Sequence, residues 1–155
     1  MCGGIATKLN QIPRSELKKF YDDRQIALFE KSGEFRSNYW DKRPVLPIKR
    51  GEAVELKDWG NRDRNLELPQ TGWAKQESVN DGKWNWLHPQ VVEITVDKGV
   101  EKGVWFNFID HKTSGLLVTK NGEERVYMLT QLADENYRLK TGHDRMPIGN
   151  KELFG

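Results

Sequence analysis

A single cysteine, Cys2, rules out an internal disulfide and any zinc site built from two or four cysteines. His88, His111 and His143 are too widely separated to make a local metal-ligand pattern, so no metal and no other cofactor is expected. No apolar run approaches the roughly 18–20 residues needed to cross a bilayer, and the first residues lack the basic flank and apolar stretch of a secretory signal. The expectation is a cytoplasmic protein with no membrane partner. Neither sign of charge dominates: 25 Lys and Arg against 23 Asp and Glu leave a net +2, which permits a basic groove without requiring one. There is no internal repeat and no low-complexity tract.

Large side chains are plentiful. Six Trp, six Phe and four Tyr in 155 residues supply the apolar surface for one core, and the length fits a single domain over 1–155, taken as a monomer. From Pro13 to about Lys31, Leu17, Phe20, Tyr21, Ala27 and Leu28 recur at helical spacing, which predicts one amphipathic helix stopped by Gly33. Phe35 to Trp40 and then Arg43 to Ile48, with Pro44 and Pro47, read as a loop leading into an edge strand. Ala53 to Trp59 alternates weakly, and Gly60 to Gln70 is a polar, exposed loop. Strands are expected at Gln90–Val96, Gly103–Ile109, Gly115–Thr119 and Arg125–Gln131, the last two joined by a hairpin at Asn121-Gly122. Trp84 and Trp86 are placed on one side of a strand. Ala133–Leu139 adds a short helix. The fold class is α+β, with a mostly antiparallel, curved or barrel-like sheet, an N-terminal amphipathic helix and a short C-terminal one.

The residue with the most distinctive chemistry is Cys2. Removal of Met1 would leave its α-amine, with a reference pKa of about 7.7–8.0, beside a thiol of about 8.5. Such a 1,2-aminothiol captures aldehydes: the amine forms an imine, and the tethered thiol closes on the imine carbon to give a thiazolidine ring. The bland reading is a small buried cysteine that happens to follow the start. Gly3 and Gly4 either let the backbone approach another surface closely or form a flexible tail.

Met1-Cys2-Gly3 resembles the start of two families with an N-terminal catalytic cysteine, the class II glutamine amidotransferases and the SRAP family (SOS response associated peptidases, abasic-site processing proteins). The rest of the chain resembles the second. Met128 to Asp134 followed by Gly142-His143-Asp144-Arg145-Met146-Pro147-Ile148 is similar to its strand, small helix and His-Asp-Arg-Met-Pro pattern. Asn38-Tyr39, Pro44 to Ile48, Asp58-Trp59-Gly60 and Gly72-Trp73-Ala74-Lys75 are similar to its other segments, in order, so the likeness runs with gaps from residue 1 to about 149.

The resemblance implies a protein that binds single-stranded DNA containing abasic sites and crosslinks to the ring-opened sugar through Cys2, with accompanying lyase and self-processing peptidase activity. It implies His143 as general acid or base, Lys75 and Arg145 as phosphate contacts and Trp73 as a stacking surface, with Arg43 and Lys49 in the same groove. Three departures stand out. Gly4 replaces the family's Arg; Gln90, in Gln90–Thr95, stands for its site Asn, with Asn80 as a substitute; and Asn107, in Trp105–Phe108, stands for its acid/base Glu. An amide cannot shuttle a proton, so slower reversal is expected. This reading requires an exposed Cys2 beside the His143 imidazole in an open groove. The alternatives are a non-catalytic single-stranded DNA-binding module of the same fold, a glutamine amidohydrolase, and a small interaction protein with an incidental Cys2.

Overall fold

The computed structural model describes residues 2–153. Its strands are β1 (Gly4–Lys8), β2 (Glu34–Asn38), β3 (Val45–Arg50), β4 (Ala53–Asp58), β5 (Trp73–Lys75), β6 (Gln90–Thr95), β7 (Lys98–Glu101), β8 (Val104–Phe108), β9 (Lys112–Lys120), β10 (Glu123–Leu132), β11 (Arg145–Pro147) and β12 (Lys151–Leu153). The helices are α1 (Arg14–Phe20), α2 (Asp23–Ser32), α3 (Gln76–Asn80) and α4 (Glu135–Thr141). One sheet has the order β12-β8-β7-β1-β2. The other runs β11-β10-β9-β6-β3-β4, with β5 joined to β10. The named strand pairs are antiparallel except β5 with β10. The fold is therefore α+β, but its strands form two sheets and do not close into a barrel. Among the described residues, no helix is long and apolar enough to cross a membrane.

The expected strands appear at β6, β8, β9 and β10, where Val, Ile, Phe and Trp alternate between the core and the outside. The turn between β9 and β10 has Asn121 and Gly122 both at positive φ, 51° and 80°, as a two-residue hairpin requires. The expected N-terminal helix is two helices. Asp22 ends the first run by capping the second: its carboxylate accepts from the Gln25 amide at 2.8 Å, while the Gln25 side chain accepts from the Asp22 amide at 2.9 Å. Gly33 terminates α2 in the left-handed region.

The predicted edge strand is an interior one, since β3 lies between β4 and β6. Pro47 is tolerated there because the β6 ladder begins only at Ile48 and Lys49. Trp84 and Trp86 do not share a strand face. A short 3₁₀ turn over Asn85–Leu87 turns Trp84 inward against Tyr127 and leaves Trp86 exposed under Lys120.

Candidate functional site

Cys2 leads directly into β1, the strand flanked by β7 and β2. Gly3 donates to the Val100 carbonyl at 3.1 Å and accepts from the Tyr39 amide at 2.9 Å, so this segment is hydrogen-bonded to the neighbouring backbone on both sides and is not a tail. The glycines serve close approach. A Cβ on Gly4 would meet Asn38 and lie 2.9 Å from Val100 Cγ1, so a side chain here would crowd both neighbouring strands. A Cβ on Gly99, in β7, would lie 2.6 Å from Phe106 Cζ and 2.8 Å from Cys2 Sγ, so the sulfur rests in space that this glycine vacates.

The expected exposure of Cys2 is not observed. Its side chain is fully buried, and Sγ donates to the Gly4 carbonyl at 3.0 Å. Burial pushes the thiol up to about 12, against backbone hydrogen bonds that pull it the other way. Residue 1, whose removal the aminothiol chemistry needs, lies outside the described residues.

Cys2 lines no cleft itself, but its carbonyl is tied to a residue that does. Trp73 Nε1 donates to the Cys2 carbonyl at 2.9 Å, and Trp73 forms a wall of a cleft of about 530 Å³ shared with Thr71, Lys75, Thr130, His143 and Arg145. Four of the residues singled out from sequence thus converge. Parallel pairing of β5 with β10 sets Trp73 and Lys75 opposite Met128 and Thr130, and β11 pairs on the other edge of β10. Helix α4, capped by Asp134 and ended by Gly142, delivers His143 to the same place.

The His143 ring is oriented by its own turn. Its Nδ1 accepts from the Arg145 amide at 3.0 Å, which leaves Nε2 as the proton-bearing nitrogen of the neutral ring. Glu101, at the end of β7, is 7% exposed, and its Oε1 lies 3.9 Å from His143 Nδ1. Its negative charge also acts on the Cys2 thiol. A buried carboxylate therefore neighbours the imidazole, a residue that sequence reasoning missed.

Asn107, placed in the acid/base position from sequence, does not join them. It faces away from the buried Phe106 and Phe108 of its own strand and lines a hollow with Lys8, Asp97 and Glu152. The two-residue alternation of β8 forces this, whereas Gly99 and Glu101 lie on the buried side of β7. The register is set by the turn at Lys102-Gly103, which has the double positive φ of a hairpin, 50° and 81°, and sets Gly99 opposite Phe106.

The remaining expected site residues lie elsewhere or are engaged. Gln90 is exposed at the start of β6 opposite Leu117, and Asn80 bonds Gln76 at the end of α3. Arg43 pairs with Asp58 at 2.9 Å and lies over Phe20, while Lys49 borders a separate hollow with Lys8 and His111. Arg145 lines the cleft, but its guanidinium forks onto Glu77 at 2.7 and 3.0 Å and also reaches Thr130. The Arg145 hydrogen bond holds the Glu77 carboxyl down at about 2. Lys75 is the exposed cation of the cleft. No cluster of three or more potential metal ligands occurs among the described residues.

Fold and site together define a two-sheet α+β protein with a cleft lined by a tryptophan and a histidine, a buried cysteine bonded to the tryptophan and a buried glutamate beside the histidine. A scan against models of known protein families finds no match, and a search of curated proteins finds none either.

Proposed function

We propose that this chain captures ring-opened abasic sites in single-stranded DNA as a covalent thiazolidine through Cys2. The observation that carries the reading is the Trp73 indole, which bonds the Cys2 carbonyl with one edge and walls the His143 cleft. The indole thus links the backbone of Cys2 to the cleft in which the aldehyde is held.

The reaction starts with removal of residue 1 and release of Cys2 from its buried position, since an acylated nitrogen is not a nucleophile and a fully buried residue does not meet the sugar. The Cys2 amine then adds to C1 of the open sugar, and the carbinolamine loses water to give a protonated imine. Sγ adds to the imine carbon, its proton leaves to a base, and the nitrogen keeps the electron pair of the broken C=N bond. Atoms balance with one water released. Glu101 is the base for the thiol proton, because it is the buried carboxylate that neighbours His143 and whose charge is felt at the thiol. The Nε2–H of His143 hydrogen-bonds the departing oxygen, and the proton that lets it leave as water comes from solvent. Lys75 holds an adjacent phosphate and Trp73 faces a base. The adduct consumes the aldehyde that drives strand breakage, so the strand is shielded.

A second reading, a DNA-binding module without chemistry, is favoured by the full burial of Cys2 and its raised thiol pKa. One experiment separates the two. The protein with residue 1 removed is incubated with a single-stranded oligonucleotide carrying one abasic site and run on a denaturing gel. A shifted band that disappears with Cys2→Ala is the expected result. DNA retention without a covalent band, unchanged by Cys2→Ala, would establish the second reading instead.

A further inference from the structure

The loop between β2 and β3 holds Trp40, which is 73% exposed. It is connected to the cleft by rings in contact: Trp73 packs at a tilt on Tyr39 with 4.8 Å between centroids, and Tyr39 meets Trp40 edge-on at 5.1 Å. The Arg62 guanidinium lies 5.6 Å from the Tyr39 ring centre and 6.0 Å from that of Trp40. It donates to the main-chain carbonyls of Asp41 and Lys42, so it fixes the loop that presents the indole.

The charges around this loop are unequally committed. Arg43 is neutralised by Asp58, and Arg125 lies 3.5 Å from Glu123. The Asp41 carboxylate accepts from the Asn38 amide and that of Asp63 from the Asn65 amide. Arg62 and Lys42, which border a neighbouring hollow of about 540 Å³, make no salt bridge among the described residues. A ligand that suits this surface offers negative charge at intervals and flat rings between the charges. An acidic peptide supplies the charge alone; an unpaired nucleic-acid strand supplies both.

We infer that a single-stranded nucleic-acid segment flanking the cleft crosses the β2–β3 loop, stacking a base on Trp40 and placing phosphates against Arg62 and Lys42. The inference rests on the DNA reading of the cleft and extends it to the path of the strand. It makes the footprint longer than the cleft, so affinity depends on strand length.

The test uses lesion-free oligothymidine of about 4 and about 12 nucleotides with the full chain, read by fluorescence anisotropy, alongside the abasic-site gel. Trp40→Ala is expected to weaken binding of the longer strand about tenfold and to leave the shorter one unchanged. Arg62→Ala and Lys42→Ala should each make binding of the longer strand less salt-dependent. Because Trp40 is exposed, its loss leaves the core intact, and an unchanged circular dichroism melt confirms that. Equal affinity of wild type and Trp40→Ala for the longer strand overturns the inference, even if crosslinking is observed. Trp40-dependent binding with no crosslink supports it and overturns the chemistry instead. Failure to bind either strand, or equally tight binding of oligoglutamate, overturns it as well.

Discussion

Cys2 is confined by what surrounds it: the Gly4 carbonyl accepts from its thiol, Trp73 donates to its carbonyl, and the side-chain space comes from Gly99. Replacing Gly99 with Ala sets a methyl group against Phe106 and the sulfur, and is expected to cost about 1–3 kcal/mol by urea denaturation. The thiol also makes stability pH-dependent. Its folded pKa is raised to about 12, so the folded chain keeps its proton where an unfolded cysteine, at about 8.5, has lost it. Its contribution is full below about 8.5 and is lost as pH rises toward about 12. Thiol alkylation at pH 8 should accordingly be slow in an N-terminally extended chain and fast after unfolding. Glu101 carries the sharpest chemical expectation. Glu101→Gln should slow crosslink formation about 100-fold or more, while Asn107→Glu leaves the rate unchanged, because Asn107 lines another hollow. An acceleration by Asn107→Glu would contradict the assignment.

Short elements are placed by single interactions. Asp22 caps α2, and Asp22→Ala is expected to lower stability by about 1 kcal/mol, measurable as a shift in the urea midpoint without a change in slope. That cap also shows what sequence reading resolves. Helical spacing carried through Asp22 unbroken, because a polar residue on the solvent face and an N-cap look alike until the backbone leaves the helix. The Asn121-Gly122 hairpin was readable because both residues adopt positive φ readily; Lys102-Gly103 makes the same turn with a lysine and went unseen. Strands of three residues such as β5 and β11 have no periodicity to read, and only pairing with β10 creates them. The site divides in the same way. Cys2, Trp73, Lys75 and His143 stood in recognisable local patterns, whereas Glu101 reaches His143 through the register of β7 on β8, a long-range property. Arg145 was legible as a cation of the cleft, but its use as a clamp between β11 and α3 depends on Glu77, distant in sequence.

Separate elements are joined across the molecule by carboxylates held below their ordinary range. Glu77 joins α3 to β11, and the Arg145 hydrogen bond holds it at about 2. Glu124 joins β10 to β3 and β4: the Lys57 hydrogen bond lowers its pKa most, burial opposes it, and the Arg50 hydrogen bond adds a further, smaller pull. For Glu16 and Asp97, burial alone would raise the pKa, yet their hydrogen bonds together outweigh it. Glu16 accepts from Lys19 and from the Leu56 amide of β4; Asp97 accepts from the Lys8 amide, His111 and Thr7. In each case the folded pKa lies below the unfolded value of about 4. The unfolded chain therefore binds protons first as pH falls, and the stability these groups contribute is complete above about pH 5 and lost as pH drops through their folded values. For Glu77 that loss extends down to about pH 2. Because the partly exposed pairs are screened by salt, the loss should be smaller at 1 M than at 0.05 M sodium chloride. Urea midpoints between pH 6 and pH 2 are expected to fall steadily, and Glu77→Gln should remove the lowest part of that fall while reducing stability at pH 6. A midpoint independent of pH between 5 and 2 would show that these bonds do not hold the elements together.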